Sequence, residues 1–165
     1  MKVVSDASPL IFLGKIKKLP WLKTILKGPF YLPSLVKEEL FPKTISLSEE
    51  EYLSHELSDW QTMPWRPKAL RADSGLSAAD LSVLEIARKV KAGLVLADEK
   101  ALRAILAVRR QPTLGTLGII LTACRQKRST ASEARQLVEE LISTHRFRVS
   151  AHVYMSFLKA LAAIR

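Results

Sequence analysis

The chain has 165 residues, 48% hydrophobic and 25% charged, which suits one domain of ordinary size and excludes a disordered chain. A single cysteine, Cys124, excludes a disulfide framework and a cysteine-based zinc site, and no apolar run approaches the length of a membrane span. Lys plus Arg number 26 against 16 Asp plus Glu, and the net charge of +10 points to a polyanionic partner such as nucleic acid. Asp6 interrupts any apolar leader, so a cytoplasmic protein with no membrane partner is expected.

In chain order, Lys2 to Ser5 is a short β-branched run closed by Asp6. Ser8-Pro9 reads as a helix start, with Ser8 as cap and Pro9 in the first helical position. A second helix is expected over Trp21 to Leu26, ended by Gly28-Pro29, and Phe30-Tyr31-Leu32 reads as a strand. Pro33-Ser34 opens a helix through Leu40 that stops near Pro42. Between Thr44 and Gly75 the pattern is weak: Ser48 looks like a helix start, and one extended piece is expected near Trp60, Pro64, Trp65 and Pro67. From Gly75 on, Leu81 and Leu84 carry a helical period, Gly93 ends that helix, and Leu94 to Ala97 is a buried-strand run closed by Asp98. A basic amphipathic helix follows over Glu99 to Val108, then a polar edge strand within Gln111 to Thr116. Three helices are expected over Leu117 to Gln126, Ser132 to Thr144 and Ala151 to Ile164.

Alternation of strands and helices indicates an α/β domain with a parallel sheet and a helical end. Ligands in such sheets bind outside the carboxyl ends of the strands. Asp6 and Asp98 stand at two such ends, while Glu38 or Glu39 and Asp80 lie at or near helix starts that follow strands. Four carboxylates around one point repel unless a cation holds them, and Mg²⁺ or Mn²⁺ suits hard oxygen ligands. Each acid also has a plain structural reading. Asp80 completes a capping box with Ser77, Asp98 and Asp6 are placed to cap helices, and Glu38 and Glu39 suit a wet helix face. One acid per strand-to-helix junction tips the balance toward a site.

The basic residues cluster as well: Lys100 to Arg128 holds Lys100, Arg103, Arg109, Arg110, Arg125, Lys127 and Arg128 with no acid between them. Arg103, Arg109 and Arg110 are the candidates for holding a nucleic-acid backbone, which the resemblance below implies is RNA. His55, His145 and His152 lack metal-ligand spacing, Cys124 reads as a core residue, and Trp21, Trp60 and Trp65 read as packing residues.

Val3-Val4-Ser5-Asp6-Ala7-Ser8-Pro9-Leu10-Ile11 resembles the opening of PIN-domain proteins, and Pro33-Ser34-Leu35-Val36-Lys37-Glu38-Glu39-Leu40 resembles their second motif, which selects Glu39 over Glu38. Leu76 to Leu84, with Asp80, resembles the third motif, and Leu94 to Ala101, with Asp98, the fourth. Thr113-Leu114-Gly115-Thr116-Leu117-Gly118 and Phe147-Arg148-Val149-Ser150 resemble a bacterial and archaeal subgroup close to the VapC toxins.

The resemblance implies a three-layer α/β/α domain over 1–165, with a central, mostly parallel sheet. Residues 1–43 and 75–126 would carry the acidic site, and 127–165 the C-terminal helices. It implies that Asp6, Glu39, Asp80 and Asp98 bind Mg²⁺ or Mn²⁺ and cleave RNA, that a small antitoxin neutralises toxin members, and that homodimers form. Two features depart from the compact toxins: Asp80 stands where a longer acid is common, and Thr44 to Gly75 is long enough to alter access to the site. Ser8 is placed to support a metal-bound water or a ligand carboxylate. The apolar helices at Leu117 to Cys124 and Ala151 to Ile164 suit either a partner surface or the core. A non-catalytic module gripping RNA or a protein is the alternative function, since fold does not fix activity. A phosphate-receiver reading ranks last, because Ser5-Asp6 offers one acid where paired acids are needed.

Overall fold

A computed structural model describes residues 1–67 and 75–164. Its elements run β1 (Val3–Ser5), α1 (Ala7–Lys15), α2 (Pro20–Leu26), β2 (Phe30–Pro33), α3 (Ser34–Leu40), α4 (Leu47–Glu56), β3 (Gln61–Met63), α5 (Ala78–Val90), β4 (Leu94–Leu96), α6 (Lys100–Val108), β5 (Thr113–Leu114), α7 (Thr116–Arg125), α8 (Ala131–Thr144) and α9 (Ala151–Ala162). The strands form one sheet in the order β3-β2-β1-β4-β5. All four pairings are parallel, so the sheet is parallel throughout the described residues rather than mostly so.

The three-layer α/β/α architecture follows from the apolar runs. Val3, Val4, Val95 and Leu96 are fully buried, as strands covered on both faces must be. Crossovers carry the chain from β1 outward to β2 and β3, then back across to β4 and β5. α5 and α6 share a groove lined by Leu84, Arg88, Leu106 and Arg109. α1 and α2 both pack on α7, and α8 and α9 pack on α7 in turn. α7 is therefore largely a core helix, with Ile119, Ile120 and Ala123 fully buried and Leu117 and Leu121 half-buried. α9 buries Phe157 and Leu161 but leaves Val153 and Met155 exposed.

Helix starts differ in detail from the sequence expectation. α1 begins at Ala7, with Asp6 in the cap position and Pro9 inside the first turn, where its missing N–H costs nothing. α4 is capped by Ser46 rather than started at Ser48, because the Ser46 hydroxyl accepts the Glu49 N–H at 3.3 Å. Trp60 stacks on Phe30 at 4.7 Å and Trp21 is buried, so both are packing residues, and Cys124 is a buried free thiol. No helix among the described residues is long and apolar enough to cross a membrane.

Candidate active site

Because β1 leads outward to β2 and β3 while β4 and β5 lie on its other side, the strand order reverses between β1 and β4. A crevice opens outside the carboxyl ends of the strands at such a point. Asp6 follows β1 directly and Asp98 lies two residues past β4. The register pairs Ser5 with Leu96, and the Asp6 N–H donates to the Leu96 carbonyl at 2.8 Å. Two acids 92 positions apart in sequence are thus carried on adjacent strand ends.

Asp6 is 5% exposed, and its carboxyl makes no capping bond to α1, so the cap reading of this residue does not explain its burial. Burial pushes its pKa up to about 7; the Ala7 N–H opposes the rise, while the charges of Asp80, Glu39 and Asp98 add to it. Glu39 lies on α3 with its side chain exposed, as a wet helix face would have it; partial desolvation and then the Asp80 charge raise its pKa. Glu38 is absent from the charges that act on Asp6.

Asp80 is 9% exposed in the first turn of α5. Its Oδ2 accepts the Ser77 N–H at 2.9 Å, and its own N–H donates to the Ser77 hydroxyl at 3.0 Å. The capping box is real, and it fixes an acid that also faces Asp6. Asp98 does not cap α6, whose cap position is Glu99. Its oxygens turn instead to Thr116, with Oδ1 accepting the N–H at 2.7 Å and Oδ2 the hydroxyl at 2.6 Å. Burial raises the pKa of Asp98, and Thr116 and then Arg103 hold it down.

Ser8 is half-buried in the first turn of α1, two residues past Asp6. Arg103 bends back to the site, donating from Nη1 to the Ala97 carbonyl at 2.9 Å. Arg109 and Arg110 follow the far end of α6, about 13 Å along a nine-residue helix, toward the amino ends of the strands. The structure therefore separates them from the acids and keeps Arg103 with them.

Beside Glu39 a cavity of about 230 Å³ opens between α1, α3 and α4, walled by Ile11, Leu40, Ile45 and Leu53 with Lys15 and Lys17 also lining it. α4 and the loop before it belong to the long segment that departs from the compact pattern. Thr116 and Gly115 join the site although the pattern of acids at strand ends does not mark them. The signal available was a Gly-Thr immediately after a strand, in the same position relative to β5 as the acid-bearing loop after β4.

Among the described residues, no three His, Cys, Asp or Glu side chains are gathered so as to cage a metal ion by themselves. Both oxygens of Asp98 are engaged by Thr116 and one oxygen of Asp80 by Ser77. Mg²⁺ tolerates such a site, because it keeps several waters and takes only one or two carboxylates directly. The chemistry of the donor set, four hard carboxylates with no cation acting on buried Asp6 among the described residues, fits a divalent ion.

A doubly wound α/β/α domain with acids at its topological switch point belongs to the class of folds that handle phosphate chemistry there. A family model described as a PIN domain matches residues 2–163, and the chain belongs to that family, whose fold is of the nuclease type. No curated protein matches the chain.

Proposed function

We propose that this chain is a divalent-metal-dependent endoribonuclease, using Mg²⁺ or Mn²⁺ held by Asp6, Glu39, Asp80 and Asp98. The single observation that carries the reading is the placement of Asp80, Glu39 and Asp98 close enough for their charges to act on the buried Asp6 carboxyl, which burial chiefly, and these charges in addition, push up to about 7. A divalent ion held by these residues would supply Lewis acidity to a water and to the leaving oxygen of the phosphodiester.

The chain's own residues do the rest. Asp80, held by Ser77, and Asp98, held by Thr116, present fixed oxygens, while Asp6 supplies a buried carboxylate between them. Arg103, anchored on the Ala97 carbonyl, keeps its other guanidinium N–H groups for a phosphate of the RNA. Ser8 supports Asp6 or a bound water from the first turn of α1. The +10 charge suits a polyanion passing the acids.

The resemblance to the VapC toxins extends the proposal to a toxin neutralised by a small antitoxin protein, working as a homodimer in the cytoplasm. RNA cleavage with Mn²⁺, comparing the native chain with Asp6→Asn, tests the core of the reading. Cleavage abolished in Asp6→Asn supports it, and equal cleavage by both rejects it. Among the described residues no three acids close a cage, and because fold does not fix activity the second reading is a non-catalytic module that grips RNA or a protein. Calorimetry separates the two: heat of Mn²⁺ uptake at millimolar ion supports the enzyme, and none supports the module.

A further inference from the structure

We infer that Thr116 is a positioning residue for Asp98, and that Gly115 is bare so that it can be one. The inference rests on the nuclease reading of the acid cluster and goes beyond it to a residue pair outside the four acids.

The pairing of β4 with β5 sets Leu96 opposite Leu114. Two residues further along each strand, Asp98 and Thr116 face one another. Thr116 is fully buried at the first position of α7, and it grips Asp98 at two points. Its N–H meets Oδ1 at 2.7 Å, and its hydroxyl meets Oδ2 at 2.6 Å. One donor leaves a carboxylate free to swivel; two donors on separate oxygens fix its plane and leave the remaining lone pairs directed away from Thr116. Both bonds favour the charged form, which opposes the effect of burial on Asp98.

Gly115 completes the arrangement by its lack of a side chain. A Cβ there would stand 2.7 Å from Asp98 Oδ1, 3.1 Å from Arg103 Nη1 and 3.3 Å from the Ala97 carbonyl oxygen. These are the three groups that make up the clasp and its anchored cation. The backbone at Gly115 is extended (φ −98°, ψ 177°), so the requirement is for space, not for an unusual conformation. Any other residue would push Asp98 off Thr116.

The test compares Thr116→Val, which keeps the shape and loses the hydroxyl, with Thr116→Ser, which keeps the hydroxyl. Gly115→Ala serves as a third variant. Each is checked for folding by circular dichroism, then titrated with Mn²⁺ by calorimetry and assayed on RNA. Partners that orient a metal ligand are worth about 10–100-fold in affinity, so folded Thr116→Val is expected to bind Mn²⁺ at least about tenfold more weakly, with Thr116→Ser close to native. Gly115→Ala is expected to fall with Thr116→Val. In an Asp98→Asn background Thr116→Val should cost nothing more, since its effect runs through Asp98. The Asp98 side-chain carboxyl carbon resonance reads the clasp without metal or RNA: Thr116→Val should shift it and Thr116→Ser should return it. Native Mn²⁺ affinity and an unmoved resonance in Thr116→Val overturn the clasp alone. A native chain that neither binds Mn²⁺ nor cuts RNA overturns the nuclease reading, and the catalytic purpose of the clasp with it.

Discussion

Replacing Asp6 by Asn should stabilise the metal-free protein, and only above a defined pH. In the folded state the Asp6 carboxyl is raised from 3.8 to about 7, chiefly by burial. Below pH 3.8 both folded and unfolded chains hold the proton, and the group is neutral to stability. Between 3.8 and about 7 the unfolded chain releases the proton while the folded chain keeps it, so stability falls as pH rises. At about 1.36 kcal/mol per pH unit, the full loss above pH 7 is about 4 kcal/mol as an upper bound. For a domain of this size that corresponds to roughly 8–16 °C in melting temperature, at 2–4 °C per kcal/mol.

The assay is thermal or urea unfolding of native and Asp6→Asn protein from pH 4 to pH 8 in chelator, repeated with Mn²⁺ at pH 8. Native protein should lose stability across the window more steeply than the variant, and the curves should separate as pH rises. Glu39 and Asp98 are raised in the same direction and contribute to both curves, so the difference between the proteins isolates Asp6. Mn²⁺ should restore the native protein, by mass action on the folded state, and leave Asp6→Asn nearly unchanged. Parallel curves for the two proteins from pH 4 to pH 8 would refute the reasoning that Asp6 is a buried, like-charge-surrounded acid.

Glu39→Gln should lower RNA cleavage by about a hundredfold or more while Glu38→Gln stays within about twofold, read from initial rates with Mn²⁺. Arg103→Ala should weaken RNA binding and flatten its salt dependence by about one phosphate contact, and the same change at Arg109 or Arg110 should spare cleavage rate; a binding isotherm at several salt concentrations checks this. Ser77→Ala should cost about 1 kcal/mol in urea unfolding by removing the cap of α5, and should lower cleavage as well because Asp80 loses its anchor. Ile119→Ala, in the centre of α7, should cost about 2–5 kcal/mol in the same assay without changing the oligomeric state measured by sedimentation, as befits a core position.

Much of this molecule was legible because the signals are local. The β-branched and leucine-rich runs at Val3 and Leu94 mark strands buried on both faces, and Ser77 with Asp80 three residues on marks a helix start whatever surrounds it. The acids Asp6 and Asp98 stand out because each ends such a run. Local signals misplaced the start of α1 by the attraction of Ser8-Pro9, and of α4 by Ser48, where Ser46 had the better-spaced partner in Glu49.

Hydrophobic period and capping act within a few residues, so the order of residues along the chain is enough to mark the strands, the helices and the acids at their junctions. The burial of α7, the return of Arg103 to the Ala97 carbonyl while Arg109 and Arg110 stay at the far end of α6, and the grip of Thr116 on Asp98 are set by contacts between distant segments. Those outcomes depend on strand order and register, which join β4 to β5 and β1 to β4 through hydrogen bonds between segments that no local pattern links.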